Sequence, residues 1–220
     1  MSLALYDLPH SPYCLPVKRI LDAAGVVYEV IDVPNWDRSK VIKLTQGAYY
    51  QVPVIQHGER VIYETGTHTQ DVVQYLDATL TNGKLFPAEF AGLQDILLDY
   101  LDNEVEGATF RCTDAFYVPS VADLVGRTML IRHKERKFGK GCVEQWRVQI
   151  DELRAGAAPH FARFDAMVKH KPYLLGDQPV YADFLLYGVI GNYTYNGWNE
   201  LPEGLEALSS WLTRMHGFQF

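Results

Sequence analysis

Apolar residues in the first third of the chain come in short blocks or alternate, whereas further on they recur at helical spacing. Ala4-Leu5-Tyr6 lies in a short apolar run that ends at Pro9, which predicts a buried strand leading into a loop. Val17, Ile20, Leu21 and Ala24 then fall on one helical face, so a helix is expected from about Cys14 to Ala24, stopped by Gly25. Pro16 limits the regularity of its first turn. Val26 to Val33 is β-branched and partly alternating and predicts a second strand, which completes a βαβ unit with a right-handed crossover.

A polar stretch from Pro34 to Tyr50 contains a short helix over Ser39–Leu44. The apolar runs Val52–Ile55 and Arg60–Tyr63 flank His57-Gly58-Glu59 and predict a hairpin. A helix over Gly66–Leu76 follows, with Val72, Val73 and Leu76 on one face. The succession βαβ then ββα predicts a thioredoxin-like N-terminal domain over residues 1–78. The segment from Asp77 to Pro87 is rich in turn formers and reads as a linker. Beyond it, helices are expected over Glu89–Glu106, Ser120–Lys137, Val143–Val168 (bent near Gly156–Pro159), Ala182–Ile190 and Leu205–Met215. The fold class is therefore α/β plus all-α, with residues 88–220 forming an all-helical C-terminal domain.

Composition narrows the partners. A hydrophobic fraction of 48% with 21% charged residues is ordinary for a globular chain. The formal charge of −7 predicts no general binding to nucleic acid or to an anionic membrane, because phosphate contacts need positive charge. No apolar run is long enough to span a bilayer, and the first residues lack the basic start of a signal peptide. Cys14, Cys112 and Cys142 are too scattered for a disulfide framework, and no metal-ligand spacing is present. A cytoplasmic protein without a metal is expected.

Three short signals carry chemistry. Ser11-Pro12-Tyr13-Cys14 stands after the first strand at the mouth of the first helix, where the helix dipole favours an anion such as a thiolate. Its ordinary explanation is a Ser cap followed by Pro. Val52-Pro53 opens a strand; a cis bond there would leave the Val52 backbone free to pair with a peptide-like ligand, although a trans proline at a strand edge is the commoner case. Glu64-Thr65-Gly66 precedes a helix, where a hydroxyl and free amides suit a carboxylate and Glu64 suits an ammonium group. Together these match an α-amino acid head group, and each alone is also explained by helix capping.

The ordered stretches LYDLPHSPYCLPVKRILDAAGVVYEVIDV, QVPVI, YETG and YLLGDQPVYADFLLYG resemble the glutathione S-transferases over essentially the whole chain. The resemblance implies glutathione as co-substrate, a cis Val52-Pro53 peptide, and a Val52 backbone paired with the cysteinyl part of glutathione. It further implies Glu64 and Thr65 at the γ-glutamyl end and Gln51 near the glycyl carboxylate. Ser11 aligns with the catalytic Ser or Cys of such enzymes, its hydroxyl donating to the glutathione sulfur. It also implies a homodimer and a small hydrophobic electrophile held by the C-terminal helices. One departure stands out: Val180 replaces the usual Ser or Thr three residues before Asp183 and brings no cap hydroxyl.

Several readings remain open at this level. Cys14 is expected to be a buried small hydrophobe, its sulfur turned inward; a glutathione-dependent thiol reductase, peroxidase or isomerase is the enzymatic alternative. A non-catalytic binding or structural role on the same fold is the alternative of another class. The aromatics around Phe110, Phe116, Tyr117 and Tyr193–Trp198 suit an electrophile pocket or plain core packing. The run Arg132–Lys137 reads as a solvated helix end, with contact to a polyanion as the lesser alternative given the net charge.

Overall fold

The computed structural model describes residues 2–66 and 70–220. Four strands, β1 (Leu3–Asp7), β2 (Glu29–Asp32), β3 (Val54–His57) and β4 (Arg60–Ile62), form one sheet in the order β2-β1-β3-β4. β1 runs parallel to β2, with Leu5 opposite Val30, and antiparallel to β3, with Leu5 opposite Ile55. β4 pairs antiparallel with β3, Ile55 facing Ile62. Helices α1 (Cys14–Ala23), α2 (Ser39–Leu44) and α3 (Asp71–Leu76) complete the thioredoxin-like N-terminal part. Leu5 and Ile55 are fully buried, as period-two alternation on a core strand requires. β2 is shorter than Val26–Val33 because it is an edge strand: Val27 and Val30 point to solvent.

The helical part comprises α4 (Ala91–Tyr100), α5 (Glu106–Ser120), α6 (Leu124–Phe138), α7 (Cys142–Val148), α8 (Ile150–Val168), α9 (Tyr181–Tyr193) and α10 (Glu206–Gly217). Three expected boundaries differ. A π-helical turn, Leu101–Val105, joins α4 to α5, so the chain stays helical through residues 107–120. Asp123, not Ser120, starts α6: its carboxylate accepts from the Gly126 N–H. The break in Val143–Val168 falls at Gln149, and α8 runs through Gly156 and Pro159. The helix expected over Gly66–Leu76 is observed from Asp71; Thr67, His68 and Thr69 lie outside the described residues.

The segment from Asp77 is packed rather than loose. A π-helical turn (Asp77–Thr81) continues α3, and buried Asp77 accepts from the Leu85 N–H at 3.0 Å. The Leu85 carbonyl in turn accepts from Tyr181 N at 3.0 Å and Gln94 Nε2 at 3.1 Å, tying the connection to α4 and α9.

α9 is the central helix and is apolar almost all round; Phe184, Leu186 and Ile190 are fully buried. At its N-terminus Asp183 does the capping alone. Its carboxylate accepts from Val180 N (3.1 Å), Leu174 N (2.9 Å) and Trp211 Nε1 (2.9 Å), so it fastens the turn, the preceding loop and α10 without a hydroxyl at position 180. One continuous apolar core includes Leu5 and Ile20 from the N-terminal part and Phe184 and Trp211 from the helical part.

Candidate functional site

The first site element is the loop between β1 and α1. Ser11 is buried, and its Oγ accepts from the backbone N–H of Tyr13 (3.2 Å) and Cys14 (3.3 Å). The hydroxyl oxygen thus satisfies the first free amides of α1, as a capping serine does. Its own O–H is turned to the Cys14 thiol, a weak acceptor that leaves it able to donate to a stronger one.

Cys14 is fully buried, as its expected inward orientation requires, and burial, with the Asp7 carboxylate adding to it, pushes its thiol up to about 12. A thiol in that state is no nucleophile near neutral pH.

The C-terminal part holds this loop in place. Asn192 Nδ2 donates to the His10 carbonyl at 2.6 Å. The His10 ring packs on Tyr117 (centroids 3.9 Å apart) and Tyr195 (5.5 Å), and Tyr195 in turn meets Trp198 at 5.5 Å. Aromatic side chains of the helical part therefore stand beside the residue that precedes Ser11. Phe110 instead joins Phe138 and Trp146 in a separate cluster, and Tyr193 is buried against Phe161.

A cleft of about 360 Å³ opens between the two parts. Tyr13, Gln51, Val52, Pro53 and Glu64 line it from the N-terminal part, and Asp102, Asn103 and Tyr181 from the helical part. The structure thus brings Gln51, Val52, Pro53 and Glu64 together. Ser11 is buried and is not among the lining residues, although Tyr13 two positions on is, and Thr65 is exposed next to Glu64.

The Val52-Pro53 peptide is cis. Val52 precedes the first paired residue of β3, Val54, and makes no backbone hydrogen bond among the described residues. Gln51 is exposed and donates from Nε2 to the Tyr50 hydroxyl at 3.3 Å.

The Glu64-Thr65 pair differs from the expectation of a hydroxyl at a helix N-terminus. α3 begins only at Asp71, and its first amides are taken by the protein itself: Asp71 N and Val72 N donate to Glu64 at 2.8 and 3.2 Å. Thr65 donates its backbone N–H (2.6 Å) and its hydroxyl (2.7 Å) to the Asp71 carboxylate. A carboxylate thus already occupies the two Thr65 donors, and that carboxylate is Asp71.

Asp102 and Asn103 carry no motif signal, yet they line the cleft together with Tyr13 of the first signal. Asp102 and Asn103 sit on the π-helical turn between α4 and α5, a distortion that re-aims side chains and often marks functional positions. The Tyr13 phenol is held protonated well above the ordinary tyrosine range by burial, by the charges of Glu106 and Asp102, and by a hydrogen bond to Asp102. Burial also pushes Glu106 up to about 7, against the opposing pull of Lys134. Among the described residues that line the cleft, the charged side chains are Glu64 and Asp102, both acidic.

Comparison with known proteins agrees with this architecture. Residues 5–82 match the family described as glutathione S-transferase, N-terminal domain, and residues 147–214 match glutathione S-transferase, C-terminal domain. The chain belongs to the glutathione S-transferase superfamily. A probable glutathione S-transferase GSTU6 of Oryza sativa subsp. japonica is 24% identical over 193 residues, covering 88% of this chain and 73% of the relative. Among solved structures, glutathione transferase GSTFuA3 from Phanerochaete chrysosporium superposes with a TM-score of 0.79 at 18% identity, covering 100% of this chain and 98% of the other. The glutathione S-transferase CsGST63524 of Ceriporiopsis subvermispora, solved in complex with glutathione, gives 0.77 at 19% identity, covering 100% and 98%. At these identities the structural likeness speaks for the glutathione S-transferase fold.

Proposed function

We propose that this protein is a glutathione transferase that binds glutathione in the cleft between its two parts and activates the thiol through Ser11. The observation that carries the reading is the convergence on one cleft of Gln51, the Glu64 carboxylate and, beside cis Pro53, the Val52 backbone, which makes no hydrogen bond among the described residues. The Val52 backbone would pair with the cysteinyl unit, and Glu64 with Asp102 would receive the γ-glutamyl ammonium. For Thr65 to hold the γ-glutamyl carboxylate, that carboxylate must replace the one of Asp71. Gln51 is exposed at the cleft and can donate to the glycyl carboxylate.

The Ser11 O–H has only the Cys14 thiol, a weak acceptor, as partner, and donation to the glutathione sulfur instead would favour the thiolate over the thiol. The thiolate then forms a bond to an electrophilic carbon of a small apolar substrate, and the leaving group departs with the electron pair of the bond that breaks. Tyr195 and Trp198, partly exposed and packed against the buried His10–Tyr117 pair, offer that substrate an aromatic surface near Ser11. Tyr13 is a poorer thiolate donor, because its hydroxyl serves Asp102. The thiol reductase reading is disfavoured by the Cys14 thiol, which burial holds up at about 12. A cytoplasmic homodimer belongs to the same proposal.

Calorimetric titration with reduced glutathione tests binding, and turnover of Ser11→Ala and Cys14→Ala with a panel of electrophiles tests the chemistry. Saturable binding, with conjugation lost in Ser11→Ala and kept in Cys14→Ala, is expected. Loss confined to Cys14→Ala would replace transfer by thiol chemistry. Absence of binding at millimolar glutathione would move the protein to a non-catalytic role.

A further inference from the structure

The net charge of −7 conceals a strong segregation. Residues 127–140 hold six of the chain's 20 Lys and Arg but only one of its 27 Asp and Glu, so this stretch carries +5 and the remaining chain −12. Nearly all of it lies on α6. The inner side of that helix is fastened: Gly126 packs under the Trp36 ring, Leu130 is buried, and Lys134 pairs with Asp114.

The outer side is different. Positions 124, 128, 132 and 136 follow one another at four-residue steps, as do 125, 129, 133 and 137, and all eight are exposed. Such steps place them on one continuous helix face. Its first two turns present Leu124, Val125 and Met129, which are 65%, 71% and 55% exposed. Its last two turns present Arg132, Arg136 and Lys137, with Lys140 just beyond. Among the described residues, Arg132 forms a salt bridge with Glu135, and the structure records none for Arg136, Lys137 or Lys140.

We propose that this outer face of α6 is a peripheral docking surface for an anionic lipid bilayer. Leu124, Val125 and Met129 enter the interfacial region while the basic end meets lipid phosphates. A face of exposed aliphatic side chains continued by arginines and lysines fits a charged interface with an apolar interior. A polynucleotide would leave the three aliphatic side chains without a partner. The charge that opposes such binding overall is carried by the rest of the chain, and at physiological ionic strength it is screened beyond about 8 Å.

The test is flotation of the full chain with vesicles of phosphatidylcholine alone or mixed with phosphatidylglycerol, at low and high salt. Binding is expected only to the phosphatidylglycerol vesicles and weaker at high salt. Val125→Glu/Met129→Glu and, separately, Arg136→Glu/Lys137→Glu should each lower the partition coefficient on the order of ten-fold or more. Circular dichroism and the glutathione isotherm should stay as in the parent, which separates lost docking from lost folding. No flotation with the anionic vesicles, equal flotation with neutral ones, or flotation unchanged in both double variants would each overturn the proposal. Retention on an immobilised acidic peptide in place of vesicle binding would assign the face to an acidic protein and overturn it as well.

Discussion

Asn192, on the central helix, donates its side-chain amide to the carbonyl of His10, immediately before Ser11, at 2.6 Å. The donor is itself positioned, because the Thr113 hydroxyl donates at 3.1 Å to both the carbonyl and the side-chain oxygen of Asn192. Ser11 therefore owes its location to α5 and α9 as much as to β1. A chain of hydrogen bonds runs from the helical part into the loop that the proposed reaction depends on.

Replacing Asn192 by Ala should destabilise the fold by about 1–3 kcal/mol, since a buried carbonyl loses its donor. If Ser11 acts on the sulfur, the same change should lower the thiolate fraction of bound glutathione more than it lowers glutathione affinity. Urea unfolding reads the first effect, and the thiolate absorbance of the bound complex against pH reads the second. An unchanged unfolding midpoint would show that the contact is dispensable.

Gly188 lies one turn before Asn192 and allows α9 to approach α1. A Cβ there would stand 2.3 Å from the Pro12 carbonyl oxygen and 2.5 Å from the Pro16 ring. Both neighbours are rigid, so Gly188→Ala should cost about 1–3 kcal/mol or more through overpacking, and it should displace the Ser11 loop. Gly107, in α5, meets nothing within 4 Å, so Gly107→Ala should be neutral or gain up to about 1 kcal/mol from helix propensity. Chemical denaturation of the two variants side by side decides the matter.

The contrast between these glycines shows which parts of the fold could be read from the chain. α1 and α2 were legible because their apolar or local pattern is self-contained. α5 was not, because Thr109, Thr113 and Asp114 are buried on it alongside Cys112 and Ala115, which erases the apolar period. The Thr109 hydroxyl bonds back to Val105 O at 2.9 Å, and the Thr113 hydroxyl bonds to Asn192, so polarity is hidden by contacts that only the fold reveals. At the site, Val52, Pro53 and Glu64 stood in recognisable short motifs. Asp102 and Asn103 did not, because a π-helical turn has no residue signature, and nothing local pairs Thr65 with Asp71.

The pairing of Thr65 with Asp71 makes a prediction of its own. Two carboxylates cannot share the same two donors, so Asp71 competes with any ligand carboxylate at Thr65. Asp71→Ala should therefore strengthen glutathione binding, and Thr65→Val should weaken it. Titration calorimetry of both variants is the measurement. If Asp71→Ala weakens binding instead, Asp71 supports the loop, and the γ-glutamyl carboxylate binds elsewhere.

His10 should make stability depend on pH in a window set by its surroundings. Burial, followed by the charges of Lys134, Arg38 and Lys18, lowers it from 6.5 to about 4. The ring is therefore neutral in the folded chain under conditions where the unfolded chain is already taking up a proton. The neutral-ring contribution is fully present above pH 6.5 and is lost as pH falls toward 4, by at most about 1.4 kcal/mol per pH unit. Phe in place of His10 keeps a ring between Tyr117 and Tyr195 but cannot titrate. The difference in unfolding free energy between parent and His10→Phe should therefore shift in favour of the variant on going from pH 7 to pH 5. Carboxylates titrate alike in both proteins and cancel in this comparison. A difference that stays constant between those two pH values would mean that the His10 ring gains its proton in the folded chain as readily as in the unfolded one, and that the aromatic packing beside Ser11 tolerates the charge.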